Sequence, residues 1–119
     1  DDLQSCTKFY DGIAASNYEI DIHNPDGSGT SHYYFAPGTY YTIPYRCLVP
    51  KGTDNLLVAG RCISGTHEAQ ASFRIMPVCC STGEAAGCAA ALAFANKCSV
   101  SGIDTAKLRD ILKKRGAFI

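Results

Sequence analysis

NLLVAGRCISGTHEAQASFRIMPVCCSTGEAAGCAAALAFA, residues 55–95, sets a short apolar run against a long segment of small residues. The run Leu56-Leu57-Val58-Ala59 stops at Gly60-Arg61. Four to six apolar residues closed by glycine predict a strand buried on both faces, as in a parallel sheet. A polar loop with Ser64, Thr66, His67 and Glu68 follows, then GEAAGCAAALAFA from Gly83, helical by composition. Strand, polar loop and small-residue helix together form the unit that holds a ligand at the carboxyl ends of parallel strands. Function is expected there.

The chemistry of this stretch follows from its small side chains. Seven alanines lie between Ala85 and Ala95, so the helix can approach a strand or ligand closely and is apolar all round, which implies burial. Ser81, Thr82, Gly83 and Glu84 are placed in its first turn. Unpaired N–H groups there favour a carbonyl or phosphate oxygen, or else Ser81 or Thr82 simply caps a buried helix. Arg61 directly after the strand would overhang the ligand end of the sheet and pair with oxygen atoms, or lie on the surface; Arg74 is comparable. His67-Glu68 is no zinc-protease helix, because no histidine stands four residues after His67. Ser64 with His67 is no hydrolase pair, since a Gly-x-Ser-x-Gly elbow is absent.

Outward from this stretch, the amino-terminal half reads as β-rich. Residues 1–17 read as a connecting turn with a short helix. YEIDIH, residues 18–23, alternates apolar and polar positions as a half-buried strand does. Residues 24–29, NPDGSG, form a turn, and Tyr33-Tyr34-Phe35 is the return strand of a hairpin. The surrounding tyrosines serve a core or line a cavity. Residues 43–49 suggest a further strand, confined to an edge or a strand start by Pro44. Near the carboxyl end, Asp104 is an N-cap, Leu108, Ile111 and Leu112 fall at helical spacing, and Gly116 closes the helix.

Composition narrows the classes. With 119 residues the chain is one domain or part of one. Eleven basic and eleven acidic residues leave no net charge, and the basic run Lys113–Arg115 suits a helix C-terminus, so no nucleic-acid partner is expected. No apolar stretch reaches membrane-spanning length by this reading, and no signal-like core is present, so no membrane partner is expected. Seven cysteines, an odd number without regular spacing, argue against a disulfide framework and for a reducing cytoplasm. The vicinal Cys79-Cys80 pair lacks the spacing of a redox dithiol or zinc site, so no metal is expected. The chain opens with Asp1-Asp2 and its one methionine is Met76, which leads to the expectation of a fragment, processed subunit or cloned segment.

A resemblance is carried by YEIDIHNPDG (18–27), IPYRCLVPK (43–51), DNLLVAGRCIS (54–64), THEAQASFRIMP (66–77) and GEAAGCAAAL (83–92). In this order they resemble the C-terminal part of large FAD-dependent oxidoreductases. The resemblance lies in the glutathione-reductase-like group, in the branch whose members carry the xanthan-lyase name by analogy. It implies that Gly60 and Arg61 approach the ribityl–pyrophosphate region of FAD, and that Arg74, Met76, Gly83, Ala85 and Ala86 approach the flavin ring. It implies a substrate-facing sheet carrying Asp21 and His23, with Tyr45 and Arg46 at its junction with the flavin domain. His23 and His67 are then the candidate catalytic residues, able to move protons during hydride transfer, or else they only hydrogen-bond or pack. Residues 1–50 would end a substrate or cap-like β domain, and residues 51–119 would form the C-terminal part of the FAD-binding domain.

Two departures qualify that picture. Arg61 stands where many flavoproteins carry an acidic residue. The phosphate-binding Gly-x-Gly-x-x-Gly is absent, since Gly27-Ser28-Gly29 continues as Thr30-Ser31-His32. The chain would hold half of a flavin site and, alone, be inactive. The fold expected is mixed α+β: a strand hairpin segment, the last strand of an FAD-binding α/β domain and its C-terminal helices. Exposed apolar surface would call for a partner chain or self-association. A substrate of unknown identity would bind against the flavin. The alternative is a non-catalytic fragment or small subunit that only packs, or completes a flavoprotein in trans.

Overall fold

Gly12–Ser16 (β1) and Tyr41–Pro44 (β4) pair antiparallel, and Ile20–His23 (β2) pairs antiparallel with Thr30–Tyr33 (β3). Three α-helices follow, His67–Phe73 (α1), Met76–Asn96 (α2) and Thr105–Lys114 (α3), completing a mixed α+β architecture in the computed structural model, which describes residues 1–119. The expected hairpin forms, with Ile20 opposite Tyr33 and His23 opposite Thr30. Its return strand begins three residues earlier than the aromatic run suggested. Gly27 and Gly29 adopt positive φ angles of 76° and 106° in the intervening turn, as the Asp-Gly signal predicted.

One core gathers residues from both halves of the chain. Ile13, Ala14, Tyr41 and Ile43 meet Val78, Ala85, Ala89 and Ala93 of α2, and Leu108 and Leu112 of α3. Along α2 the buried positions Val78, Thr82, Ala85, Ala89 and Ala93 recur every three or four residues, which puts them on one face. Four of these five side chains are no larger than threonine, so the helix lies close against the β1–β4 ribbon. Within the ribbon Gly12 leaves no room for a side chain: an added Cβ would sit 2.9 Å from Cβ of Thr42. The Gly12 carbonyl also accepts from Nη1 of Arg109 on α3.

Several expectations are corrected. Leu56–Ala59 is extended but is no strand; only Val58 N–H bonds nearby backbone, the Leu48 carbonyl at 2.9 Å. A strand buried on both faces needs flanking strands, and none in this chain pairs with it; Leu56 stays exposed. Residues 1–17 contain β1 rather than a helix, because Gly12, Ala14, Ala15 and Ser16 find β4 as a distant partner. The strand placed at residues 43–49 starts at Tyr41 and gives way after Pro44 to a 3₁₀ turn, Tyr45–Leu48. The polar loop is partly helical, with Thr66 capping α1 by accepting from Ala69 N–H at 3.2 Å.

The small-residue helix begins at Met76, a turn and a half before Ser81, with Ile75 as N-cap and Pro77 in its first turn. Ser81 and Thr82 are therefore not caps. The earlier start also makes α2 long and apolar enough, by length and composition, to cross a membrane: 21 residues, with a mean hydropathy of 1.4 over an 18-residue window. That overturns the reading that no apolar stretch reaches this length. Its alanine face is buried in the chain's own core. The last helix is as expected, with Asp104 Oδ1 accepting from Ala106 and Lys107 N–H.

Tyr45 ties the two halves together: it is 3% exposed, and its hydroxyl donates to the Val100 carbonyl at 2.7 Å. Burial, and secondarily the Cys98 thiol, push its phenol from 10.0 up to about 12. The folded chain therefore keeps a proton that the unfolded chain has lost, so stability is complete below pH 10 and falls as pH rises toward 12. Urea unfolding across that range should show this decline, and Tyr45→Phe should flatten it.

Candidate functional site

The turn that follows the extended segment is built on Gly60. Its φ of 72° suits glycine, and its N–H donates to the hydroxyl of Thr82 at 3.0 Å. Thr82 is fully buried, and its hydroxyl also lies 3.0 Å from the Val78 and Cys79 carbonyls, one of which takes its proton. Residues 60–62 are thereby held against the first two turns of α2. Arg61 extends from this turn and donates from Nε to the Arg74 carbonyl at 2.9 Å. Gln70 Nε2 in turn donates to the Arg61 carbonyl at 3.1 Å. The two terminal amines of Arg61 make no bond within the chain, and the side chain is exposed.

At the start of α2 no side chain caps the helix and no acidic residue stands in the first turn. Met76 is 73% exposed there. Pro77 lacks an N–H, so the donors left at this end are those of Met76 and Val78. Their charge character, with the aligned peptide dipoles behind them, favours an electron-rich partner. Gly83 lies on the exposed side of the helix and Ala86 is half-buried. Ala85 is completely buried in the core, so its side chain faces inward.

A second constellation lies beside the first. Asp21 and His23 share one face of β2, and α1 presents His67, Gln70 and Ala71 across a groove of about 130 Å³ that Arg74 completes. The guanidinium of Arg74 reaches β2: Nη2 lies 3.3 Å from both the carbonyl and Oδ2 of Asp21. His23 Nε2 stands 3.9 Å from the same Oδ2. Asp21 Oδ1 is buried without a hydrogen-bond partner. The hairpin is fixed over α1 by Ser72, whose hydroxyl donates to the Tyr18 carbonyl at 2.5 Å and accepts from Tyr41 at 2.8 Å.

The two candidate histidines, far apart in sequence, thus line one groove, and Gly60, Arg61, Arg74 and Met76 gather beside it at the start of α2. Sequence reasoning missed the anchoring role of Thr82 and the Asp21–Arg74 pair. The alternation of β2 placed Asp21 with His23, but nothing in the spacing linked either to Arg74. The largest cavity, about 500 Å³, lies on the other side of α1, lined by Leu3, Ile20, His32, Thr66 and Glu68. It holds none of the expected site residues. The carboxyl of Glu68 in it is held below the usual carboxylate range by its own backbone N–H and then by the Thr66 hydroxyl.

A family model described as FAD dependent oxidoreductase matches residues 1–112. No curated protein and no solved structure matches the chain.

The Thr82 anchor has a measurable consequence. Thr82→Val keeps the shape but leaves the Gly60 N–H unpaired, which should cost about 1–3 kcal/mol in urea unfolding and accelerate exchange of that amide. Thr82→Ser, which keeps the hydroxyl, should preserve the amide's protection.

Proposed function

The chain belongs to the FAD dependent oxidoreductase family, and we propose that it contributes the ribityl and isoalloxazine side of a flavin site and part of the substrate-facing sheet. Within the family, our reading keeps to the glutathione-reductase-like group and the branch carrying the xanthan-lyase name. The observation that carries the proposal is the Gly60–Arg61 turn pinned by Thr82 at the uncapped start of α2. Bound FAD would supply the hydride chemistry, and the protein its position and electrostatics.

The residues fit that cofactor in character. Arg61 has two unpaired terminal amines for ribityl or phosphate oxygens. The start of α2 offers the Met76 and Val78 N–H groups, with no acidic residue in its first turn, to the electron-rich edge of a flavin ring. Met76 supplies an exposed apolar side chain beside them, with Gly83 and Ala86 farther along the helix. Ala85 contributes by packing, since its side chain meets the core. His23 and His67 flank the adjacent groove, where an imidazole nitrogen would hold or take a proton from substrate. Residues 1–50 then serve the substrate side and residues 51–119 the flavin side, over a shared core. A Gly-x-Gly-x-x-Gly is not in this sequence, so the grip on the ADP portion is assigned elsewhere and the chain is a half-site, inactive by itself.

A second reading has the chain completing a flavoprotein in trans, without catalysis of its own. It is favoured by the exposed stripe Met76, Cys80, Gly83, Gly87, Ala90 and Phe94 along α2, which suits a packed partner. A cytoplasmic setting belongs to either reading and rests on the sequence, whose seven cysteines are odd in number and without regular spacing.

The visible absorption spectrum of the purified chain with added FAD tests the proposal. A shifted flavin band is expected, and Arg61→Gln should weaken the titration by about tenfold, the loss of one charged contact. An unshifted band with a folded sample would remove the flavin site from this chain.

A further inference from the structure

The groove between β2 and α1 is lined by hydrogen-bond donors. Its walls carry one permanent cation, Arg74, two imidazoles, His23 and His67, and one carboxylate, Asp21. Asp21 is already matched by Arg74, through Nη2 alone, while Nε and Nη1 of Arg74 make no bond within the chain. The free Asp21 oxygen, Oδ1, is buried away from solvent. Both imidazoles are exposed; His67 bonds nothing in the chain, and His23 approaches only Asp21, at 3.9 Å. The open donors are thus guanidinium and imidazole N–H groups, which recognise oxyanions.

Size and charge narrow the ligand. About 130 Å³ is below the roughly 300–1,000 Å³ of pockets that enclose a whole small molecule, so the groove takes one end of a ligand. With Arg74 and Asp21 offsetting each other, a monoanion suits it better than a phosphate dianion, which Asp21 would repel. We propose that this groove is a carboxylate-binding subsite that fixes the acidic end of the substrate. Arg74 then serves the substrate rather than the cofactor: its side chain faces β2 and only its carbonyl meets Arg61. Calling the ligand a substrate rests on the flavoprotein reading; the binding of a carboxylate does not.

The test is an NMR titration of the full chain with sodium acetate, following the Arg74 Nε–H and the rings of His23 and His67. Sodium chloride at equal ionic strength and sodium phosphate serve as controls. Saturable shifts confined to the groove are expected with acetate, weakened about tenfold or more by Arg74→Gln, the loss of a charged hydrogen-bond donor. His67→Gln, at an exposed position where folding is undisturbed, should weaken acetate a few-fold and serves if Arg74→Gln does not fold. Equal shifts with chloride, tighter binding of phosphate, or unchanged affinity in these variants would overturn the proposal. A parallel FAD titration separates the two readings. Acetate binding without a flavin signal leaves the subsite standing and removes the flavin site; a flavin signal without acetate binding does the reverse.

Discussion

A single buried hydroxyl governs the arrangement around the candidate site. Thr82 occupies a position on α2 where every other inward side chain is apolar, and it is fully buried. Its oxygen receives the Gly60 N–H and returns a proton to a carbonyl one turn earlier in the helix. The hydroxyl's own proton is already satisfied within the helix, so Gly60 fills its acceptor side, and the bond spares the turn an unpaired N–H. Once residue 60 is fixed, Arg61 is brought within reach of the Arg74 carbonyl, and the link between α1 and α2 is held from outside.

The amino-terminal ribbons are tied to this centre by polar contacts inside an apolar setting. Ser72 joins Tyr18 and Tyr41, and so fixes the hairpin over α1. Asp11, almost fully buried, pairs with Arg46 at 2.6 Å, while the guanidinium lies 4.7 Å over the Phe9 ring. Tyr45 bonds the carbonyl of Val100. Each contact joins residues more than thirty positions apart. They give the two small sheets a defined place against the helices, which pairs of strands alone would not secure. The groove holding His23, His67 and Arg74 is a product of these ties.

The legible parts of the fold were those with local causes. The alternation of residues 18–23 and the turn residues 24–29 fixed a hairpin, and Asp104 with its following leucines fixed α3. The alanine content announced α2 but not its start, because Met76, Pro77 and Val78 carry no alanine signal and the N-cap is Ile75 rather than a polar residue. The short apolar run at residues 56–59 misled: such a run describes a strand only where neighbouring strands accept its backbone. Here it finds one carbonyl, that of Leu48. β1 was missed for the converse reason. GIAAS has weak strand character alone and becomes a strand because β4 pairs with it across 24 intervening positions.

By itself, then, the sequence determined the elements whose stabilising contacts fall within a few residues, and it displayed the motifs that resemble the flavoprotein family. Tertiary structure decided which of those residues meet. Asp21 with Arg74, Gly60 with Thr82, and His23 across from His67 depend on side chains that approach only after α1 docks on the hairpin and α2 on the β1–β4 ribbon. The physical reason is range. Helix capping and turn formation are settled by a handful of neighbouring dihedrals, whereas a buried hydroxyl or a guanidinium takes its partner from whatever the packed core brings within 3 or 4 Å, as an unpaired buried group is too costly to leave.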